Sequence, residues 1–217
     1  MKKLLVFLFT IATVYTAQAQ SFGIRAGANL SNLAGDLTDD SRFNNKLGYH
    51  AGLTANFPIV ENFFSIQPEL LYTNKGFKND EEEFERNGAR ITREGSVNFN
   101  YLELPLLARI NAGPLYFEGG PQASYLLGIR DNTEQTPLIS TGDRISTDGM
   151  NRFELGYAAG IGFGMPNGIS AGVRYTSGFN RILDDSNNNS TTYFDGDLRN
   201  ARHSVIMFTL AFAFGNR

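Results

Sequence analysis

The feature that most constrains this chain is a strict two-residue alternation in RFELGYAAGIGFGMP, residues 152–166. One parity carries apolar side chains from Phe153 to Met165, whereas the other carries Arg152, Glu154 and mainly glycine. A period of two predicts a β-strand whose side chains point alternately to opposite faces. In a soluble sandwich the apolar face packs inward and the other face carries polar side chains. Here the second face carries mainly small side chains, which predicts that it lines a narrow interior. The apolar face is then expected to lie on the outside.

The same alternation recurs along the chain and predicts eight strands. They cover residues 22–30, 47–57, 64–72, 97–111, 115–129, 152–166, 169–176 and 206–214. Three connections are expected to be tight turns around Pro58, Pro114 and Pro166, and the other four are long and rich in Asp, Asn, Ser, Thr and Gly. Short turns at one end and long loops at the other are typical of bacterial outer-membrane barrels. We therefore predict an all-β fold, an eight-stranded antiparallel up-and-down transmembrane β-barrel.

A soluble, lipocalin-like barrel is the alternative architecture. It also has eight strands, but its large apolar side chains lie inside and its charges lie outside. Here the small and charged parity has too little bulk to form a soluble core. The mean hydropathy of −0.24 does not decide between the two, because lipid-facing and lumen-facing residues alternate in a membrane barrel and their hydropathies average out.

Aromatic side chains form two groups, as expected for the girdles at the two membrane interfaces. Near the short turns lie Phe57, Phe63, Phe64, Phe117, Phe163, Phe212 and Phe214. Near the long loops lie Tyr72, Tyr101, Tyr125, Phe153, Tyr175 and Phe179. The alternation in residues 115–129 also places Ile129 on the outer, lipid-facing parity.

The N-terminus, MKKLLVFLFTIATVYTAQAQ, has the pattern of a secretory signal peptide. Two lysines precede an apolar run, and Ala17-Gln18-Ala19 supplies the small residues of a cleavage site. A membrane anchor is the alternative, but a helical span needs ~20 apolar residues and this run has about half that. We predict a signal peptide at residues 1–19, an outer-membrane β-barrel domain at 20–217, and location in the bacterial outer membrane after cleavage.

Composition excludes several classes of protein. The chain has no cysteine, so it is neither an acylated lipoprotein nor a disulfide-stapled domain. The formal charge of −3 becomes −5 when Lys2 and Lys3 leave with the signal peptide. An acidic chain without a basic block argues against a nucleic-acid partner. The expected partners are outer-membrane lipid, the barrel assembly machinery and a protein that the sequence does not identify, and the chain is expected to be a monomer.

Four segments resemble one known family. They are AQAQ at the end of the signal peptide, FGIRAGANLS at residues 22–31, YLELPLLAR at 101–109 and GYAAGIGFG at 156–164. Together they resemble the PorT-like outer-membrane β-barrel proteins over about residues 20–214. The resemblance implies the barrel fold, and it implies no catalytic residues, because these motifs are structural.

Eight charged or titratable residues fall on the predicted inner parity. They are Arg25, His50, Glu69, Glu103, Arg109, Glu118, Glu154 and Arg174. Counted from the short turns, five of these lie at similar heights and are expected to share one layer in the middle of the barrel: Arg25, His50, Glu69, Glu103 and Arg174. Because an isolated buried charge is very costly, carboxylates and guanidinium groups in this layer are expected to pair.

Two interpretations of this layer remain open. It is either a proton or ion path, with Glu69 and Glu103 as an acid/base pair, or an ionic plug that fills and rigidifies the lumen. The interior of an eight-stranded barrel is only wide enough for side chains to fill it. The plug is therefore the favoured interpretation.

Other site chemistry is weakly indicated. The chain lacks a cysteine nucleophile, a G-x-S-x-G elbow and an H-E-x-x-H zinc motif. Its two histidines, His50 and His203, do not have metal-ligand spacing, and neither DGD at 195–197 nor the aspartates at 36, 39 and 40 fit an EF-hand. We expect no cofactor, no metal and no enzymatic activity.

The expected function is a structural or interaction role in envelope integrity or as a partner of a secretion system. The contacts would be made by the extracellular loops or the periplasmic rim. The longest and most charged loop is expected at residues 78–94, and a low-complexity loop at 184–197; each is either a solvated fringe or a contact surface. The alternatives are a small passive pore and a membrane-embedded lipid-modifying enzyme.

Overall fold

The computed structural model describes residues 21–34, 43–86, 89–131, 134–136, 144–145, 150–182 and 201–214. In these ranges the regular structure is antiparallel β-sheet. Its ten strands are β1 (Ser21–Ala34), β2 (Phe43–Val60), β3 (Phe64–Arg86), β4 (Ala89–Ala112), β5 (Leu115–Asp131), β6 (Glu134–Thr136), β7 (Arg144–Ile145), β8 (Phe153–Gly164), β9 (Ile169–Gly178) and β10 (Arg202–Phe214). No helix in these ranges has the length and apolarity needed to cross a membrane.

The eight long strands form a closed barrel, which confirms the predicted fold. Their order around the ring is β1, β2, β3, β4, β5, β8, β9 and β10. The ring closes because β1 pairs with β10 from Phe22 opposite Phe214 to Ala34 opposite Arg202. Each long strand contains one of the eight segments in which the sequence alternates, except that the sixth predicted segment begins and ends just outside β8.

The short turns connect β2 to β3, β4 to β5 and β8 to β9. Gly113 and Gly168 provide the positive φ angles of the second and third turns, at 64° and 89°. The first turn differs from the prediction, because Pro58 lies within β2 and the chain reverses at residues 61–63, where Asn62 has a φ of 57°. Asparagine tolerates this left-handed conformation better than most residues, which explains the position of the turn.

The segment predicted as the charged loop 78–94 is largely strand. β3 has 23 residues and β4 has 24, and their ladder continues from Glu82 opposite Arg93 to Arg86 opposite Ala89. The same ladder places Glu85 opposite Arg90, so the backbones of the two strands remain paired almost to the end of the hairpin. Above Val97, β4 leaves β5 and pairs with β6 instead. On its other edge, β5 pairs with β8 as far as Tyr125 and then with β7 at Ile129 and Arg130. The second predicted loop, 184–197, lies outside the described residues.

The apolar parity faces outward. Leu47 on β2 and Leu210 on β10 are 67% and 65% exposed, whereas the inward residues Glu103 and Arg174 are only 1% and 2% exposed. In β8, every second residue from Phe153 to Phe163 is exposed. This distribution fits a lipid-facing wall and contradicts the soluble-barrel alternative.

Two outward assignments were wrong. Ile129 is buried, because the ladder between β4 and β5 shifts register after Asn100, so that β5 carries one extra residue and its parity reverses. Tyr101 is also buried and belongs to the interior, not to the aromatic girdle. It shares the inward parity of Glu103 in β4.

Candidate functional site

The barrel interior contains two separate groups of buried charges. We call Arg25, Glu69, Glu118 and Arg174 the lower ionic cluster, because it lies near the short turns. We call Lys75, Glu103 and Glu154 the upper ionic cluster, because it lies further along the strands. The sequence predicted a single layer, whereas the structure places Glu103 in a different group from Glu69.

The lower ionic cluster is centred on Glu69. Arg25 donates a hydrogen bond from Nη1 to Glu69 Oε1. Arg174 binds the same carboxylate in a fork, from Nη1 to Oε2 at 2.7 Å and from Nη2 to Oε1 at 3.0 Å. Gln67 Nε2 adds a fourth donor at 2.7 Å. Such bidentate, charge-assisted bonds fix a carboxylate in both position and orientation.

Glu118 completes the lower ionic cluster. Its Oε1 accepts hydrogen bonds from Arg174 Nε at 2.8 Å and Nη2 at 2.6 Å, and it lies 3.8 Å from Arg25 Nη2. The four side chains come from β1, β3, β5 and β9, which are every second strand of the ring. Two guanidinium groups and two carboxylates therefore meet across the lumen with no net charge.

The upper ionic cluster has one cation and two acids. Lys75 Nζ lies 3.1 Å from Oε1 of both Glu103 and Glu154. Thr73 Oγ1 donates to Glu103 Oε2 at 2.8 Å, and the ammonium of Lys75 lies 4.1 Å from the centre of the Tyr101 ring. A cation over an aromatic face is stabilised by the ring's negative quadrupole.

His50 belongs to neither cluster. Its Nδ1 lies 2.6 Å from Asn29 Oδ1, and its Nε2 lies 2.9 Å from Thr209 Oγ1. An amide oxygen only accepts hydrogen bonds, so Nδ1 carries the proton and the threonine hydroxyl donates to Nε2. These bonds satisfy both nitrogens of a neutral imidazole. His50 is near enough to Arg25, Arg174 and Glu69 to interact with them electrostatically, but it forms neither an ion pair nor a hydrogen bond with them.

Arg109 lies below the lower ionic cluster, at the periplasmic mouth. Its guanidinium carbon is 3.6 Å from the centre of the Tyr116 ring, and Nη1 donates to Gln67 Oε1 at 3.2 Å. The Tyr116 ring lies against Gly162 and its hydroxyl against Gly172, where any side chain would collide with it. This contact explains part of the glycine-rich inner face of β8. We call Arg109 and Tyr116 the periplasmic plug.

An apolar cluster lies above the charged groups, at the loop end of the barrel. We call it the apolar cap. Its buried members are Leu33, Phe77, Val97, Phe99, Tyr101, Leu126, Ile129, Met150, Ile182 and Ala201. His203 packs against it, edge-on to Phe99 and Tyr101 at ring distances of 5.0 and 5.5 Å.

The alternation did not identify Lys75, the buried position of His203 or the apolar cap. Lys75 shares the inward parity of Glu69, but the predicted third strand ended at residue 72, so this parity was not followed far enough. The cap was missed because apolar residues were assigned to the lipid side throughout. Within the described ranges, no three His, Asp or Glu side chains come together to hold a metal ion. The aspartates at 36, 39, 40, 195 and 197 lie outside those ranges.

The arrangement has a direct chemical consequence. Glu69 and Glu103, considered as an acid/base pair, are held in separate clusters and each is bonded to a cation. A carboxylate that is engaged in this way has its lone pairs occupied by donors. The geometry therefore favours the ionic-plug interpretation over an acid/base site.

Comparison with known proteins agrees with this architecture. A family model described as outer membrane protein beta-barrel domain matches residues 17–184. Among curated proteins, none matches the sequence. Neisserial surface protein A, a solved structure, is 12% identical with a TM-score of 0.51, and the alignment covers 91% of this chain and 100% of that chain.

Two further solved structures are similar at lower TM-scores. Ail of Yersinia pestis is 16% identical with a TM-score of 0.46, over 91% of this chain and 100% of that one. OprG of Pseudomonas aeruginosa is 13% identical with a TM-score of 0.41, over 91% and 97%. Since the family model covers most of the sequence, the chain belongs to the outer membrane protein β-barrel domain family and is a protein of the bacterial outer membrane.

Proposed function

We propose that this protein is a non-conducting, non-catalytic barrel that acts by contact with a partner at its extracellular end. The observation that carries the proposal is the lower ionic cluster, which joins four strands across the lumen. Its side chains are at most 3% exposed. The periplasmic plug and the apolar cap lie below and above it. A lumen filled in this way supports a structural or interaction role over a passive pore.

The contact surface we propose is the tall β3–β4 hairpin. In β4, residues 89–96 lie beyond Val97, the last residue of this strand that pairs with β5. Within this extension, residues 92–94 pair with β6. At ~3.3 Å per residue, eight residues span roughly 26 Å along the strand. A paired hairpin presents a surface at lower entropic cost than a loop that must be ordered on binding.

The partner we propose is a component of the cell envelope or of a secretion system. The resemblance of YLELPLLAR and GYAAGIGFG to PorT-like proteins supports this choice. The periplasmic rim is the other surface at which such a partner could dock. A membrane-embedded lipid-modifying enzyme is the less favoured alternative, because the interior carboxylates with acid/base potential are bonded to cations.

Planar-bilayer recording tests the closed lumen. We expect no discrete conductance steps from the refolded protein at neutral pH, whereas stable unitary steps would refute the plug and favour the pore.

Photo-cross-linking in intact cells tests the contact surface. A photoreactive residue at position 84 in the hairpin should form a specific adduct, and one at position 167 in a short turn should not. An adduct from position 167 alone would assign the contact to the periplasmic rim instead.

A further inference from the structure

The outer wall of β3–β5 carries exposed cations just above the lipid-facing band. Lys78 on β3 and Arg130 on β5 are both exposed. Asn98 on β4 lies between them: it pairs with Arg130 on β5 and with Gly76 on β3. Gly76 precedes Lys78 by two residues in β3. Two strand spacings and two residues separate the Cα atoms of Lys78 and Arg130 by roughly 12 Å. This places both cations on one patch.

No acidic side chain balances these cations among the residues whose side chains the structure describes. The acids in that set are Glu61, in a short turn, and Glu69, Glu103, Glu118 and Glu154, all buried in the lumen. A third cation, Lys46, lies behind the patch, where its Nζ donates to Asn74 Oδ1 at 2.8 Å. Lys78 is near enough to repel it electrostatically. Among the described side chains, this part of the outer wall therefore carries positive charge and no negative charge.

Neutral donors and an apolar wall surround the cations. Tyr72 donates its hydroxyl to Asn100 Oδ1 at 2.9 Å on the outer surface, and Arg130 interacts electrostatically with Tyr72. Beside and below Tyr72 and Asn100, the wall is apolar and exposed at Leu70, Leu102 and Leu127. Tyrosine rings mark the interface between apolar chains and headgroups, so Arg130, which interacts with Tyr72, lies at headgroup height. Lys78 lies six residues beyond Tyr72 along β3, toward the loop end.

We propose that this patch, formed by Tyr72, Lys78, Asn98, Asn100 and Arg130, binds a phosphate-bearing glycolipid of the outer leaflet. The acyl chains would lie against the leucine wall. Arg130 would bind phosphate oxygens through its planar guanidinium, and Lys78 would act as a mobile point charge. Asn98 supplies a neutral donor between them. This site is independent of the proposed contact at the β3–β4 hairpin and of the closed lumen.

Native mass spectrometry of the folded protein tests the site, with bisphosphorylated lipid A as the probe. Wild type should retain the lipid, and the same glycolipid without phosphates should not be retained. Each basic residue near a membrane surface contributes enough binding energy that the double variant Lys78→Gln/Arg130→Gln should bind roughly 10- to 30-fold more weakly. Retention of the phosphate-free glycolipid at the wild-type level would overturn the proposal.

Arg202→Gln is the matched control, because Arg202 is an exposed cation at the loop end of β10, away from this patch. It should leave the affinity for lipid A unchanged. An equal loss in Arg202→Gln, or no loss in the double variant, would also contradict a local site. Faster migration of the unboiled protein in a detergent gel confirms that each variant is folded, so a folding defect is separable from a binding defect.

Discussion

At the scale of single residues, the two ionic clusters differ in charge balance. Glu69 holds both arginines of the lower ionic cluster, where two positive and two negative groups are present. In the upper ionic cluster, Glu103 and Glu154 share the single ammonium of Lys75. Removing one carboxylate from the lower ionic cluster therefore leaves one guanidinium group in excess. Removing one from the upper ionic cluster leaves one ammonium group and one carboxylate, which balance.

This difference predicts unequal effects of two isosteric substitutions. Glu69→Gln leaves buried guanidinium charge without a counter-ion, which typically costs ~3–5 kcal/mol of unfolding free energy. Glu154→Gln keeps Lys75 paired with Glu103 and relieves carboxylate repulsion, so it should cost less than about 1 kcal/mol. Urea unfolding in lipid vesicles measures both values. Equal costs, or a larger cost for Glu154→Gln, would show that the upper ionic cluster also needs both of its acids.

At the scale of strands, alternation predicted the wall well and the interior only in part. The outward face has one solvent, the lipid, so a period of two is sufficient to identify each strand. The inward face has no such uniform environment. Lys75 and Glu103 meet only because β3 and β4 pair in one register, and Ile129 turns inward only because of a bulge. The register between two strands, and any bulge in it, depends on both strands. Neither can be identified from the periodicity of a single strand.

The bulge in β5 can be tested with single introduced cysteines, because the chain has no cysteine of its own. A cysteine at position 129 should resist a membrane-impermeant maleimide until the protein is unfolded, because Ile129 lies in the apolar cap. A cysteine at position 130 should react in intact cells, because Arg130 is exposed. Labelling followed by gel shift distinguishes the two positions. Reversed reactivity would mean that β5 keeps its parity and that the bulge is absent.

At the scale of the whole molecule, buried side chains occupy the lumen at several heights. The periplasmic plug, the lower ionic cluster and the apolar cap follow one another from the short turns to the loop end. Leu71, Val205 and Met207 form a second buried apolar cluster, in which Leu71 is paired with Glu103 and Met207 with Arg174. Because these layers are stacked, we expect the lumen to remain closed at the other layers when one of them is removed.

Layered closure predicts the behaviour of the neutral quadruple variant Arg25→Ala/Glu69→Ala/Glu118→Ala/Arg174→Ala. No buried charge of the lower ionic cluster is left unpaired, so the variant should fold and still migrate faster in a detergent gel when it is not boiled. In planar bilayers it should conduct no more than wild type. Discrete conductance from this variant would mean that the lower ionic cluster alone seals the barrel.

The placement of the lower ionic cluster on every second strand also restricts how the wall can part. A barrel that releases cargo sideways separates two neighbouring strands, and the pair formed by β1 and β10 closes the ring. Arg174 on β9 and Glu69 on β3 stand on either side of that junction and are bonded to each other across the lumen. Lateral opening there would pull apart a buried bidentate ion pair. The lower ionic cluster therefore opposes lateral opening at the junction of β1 and β10.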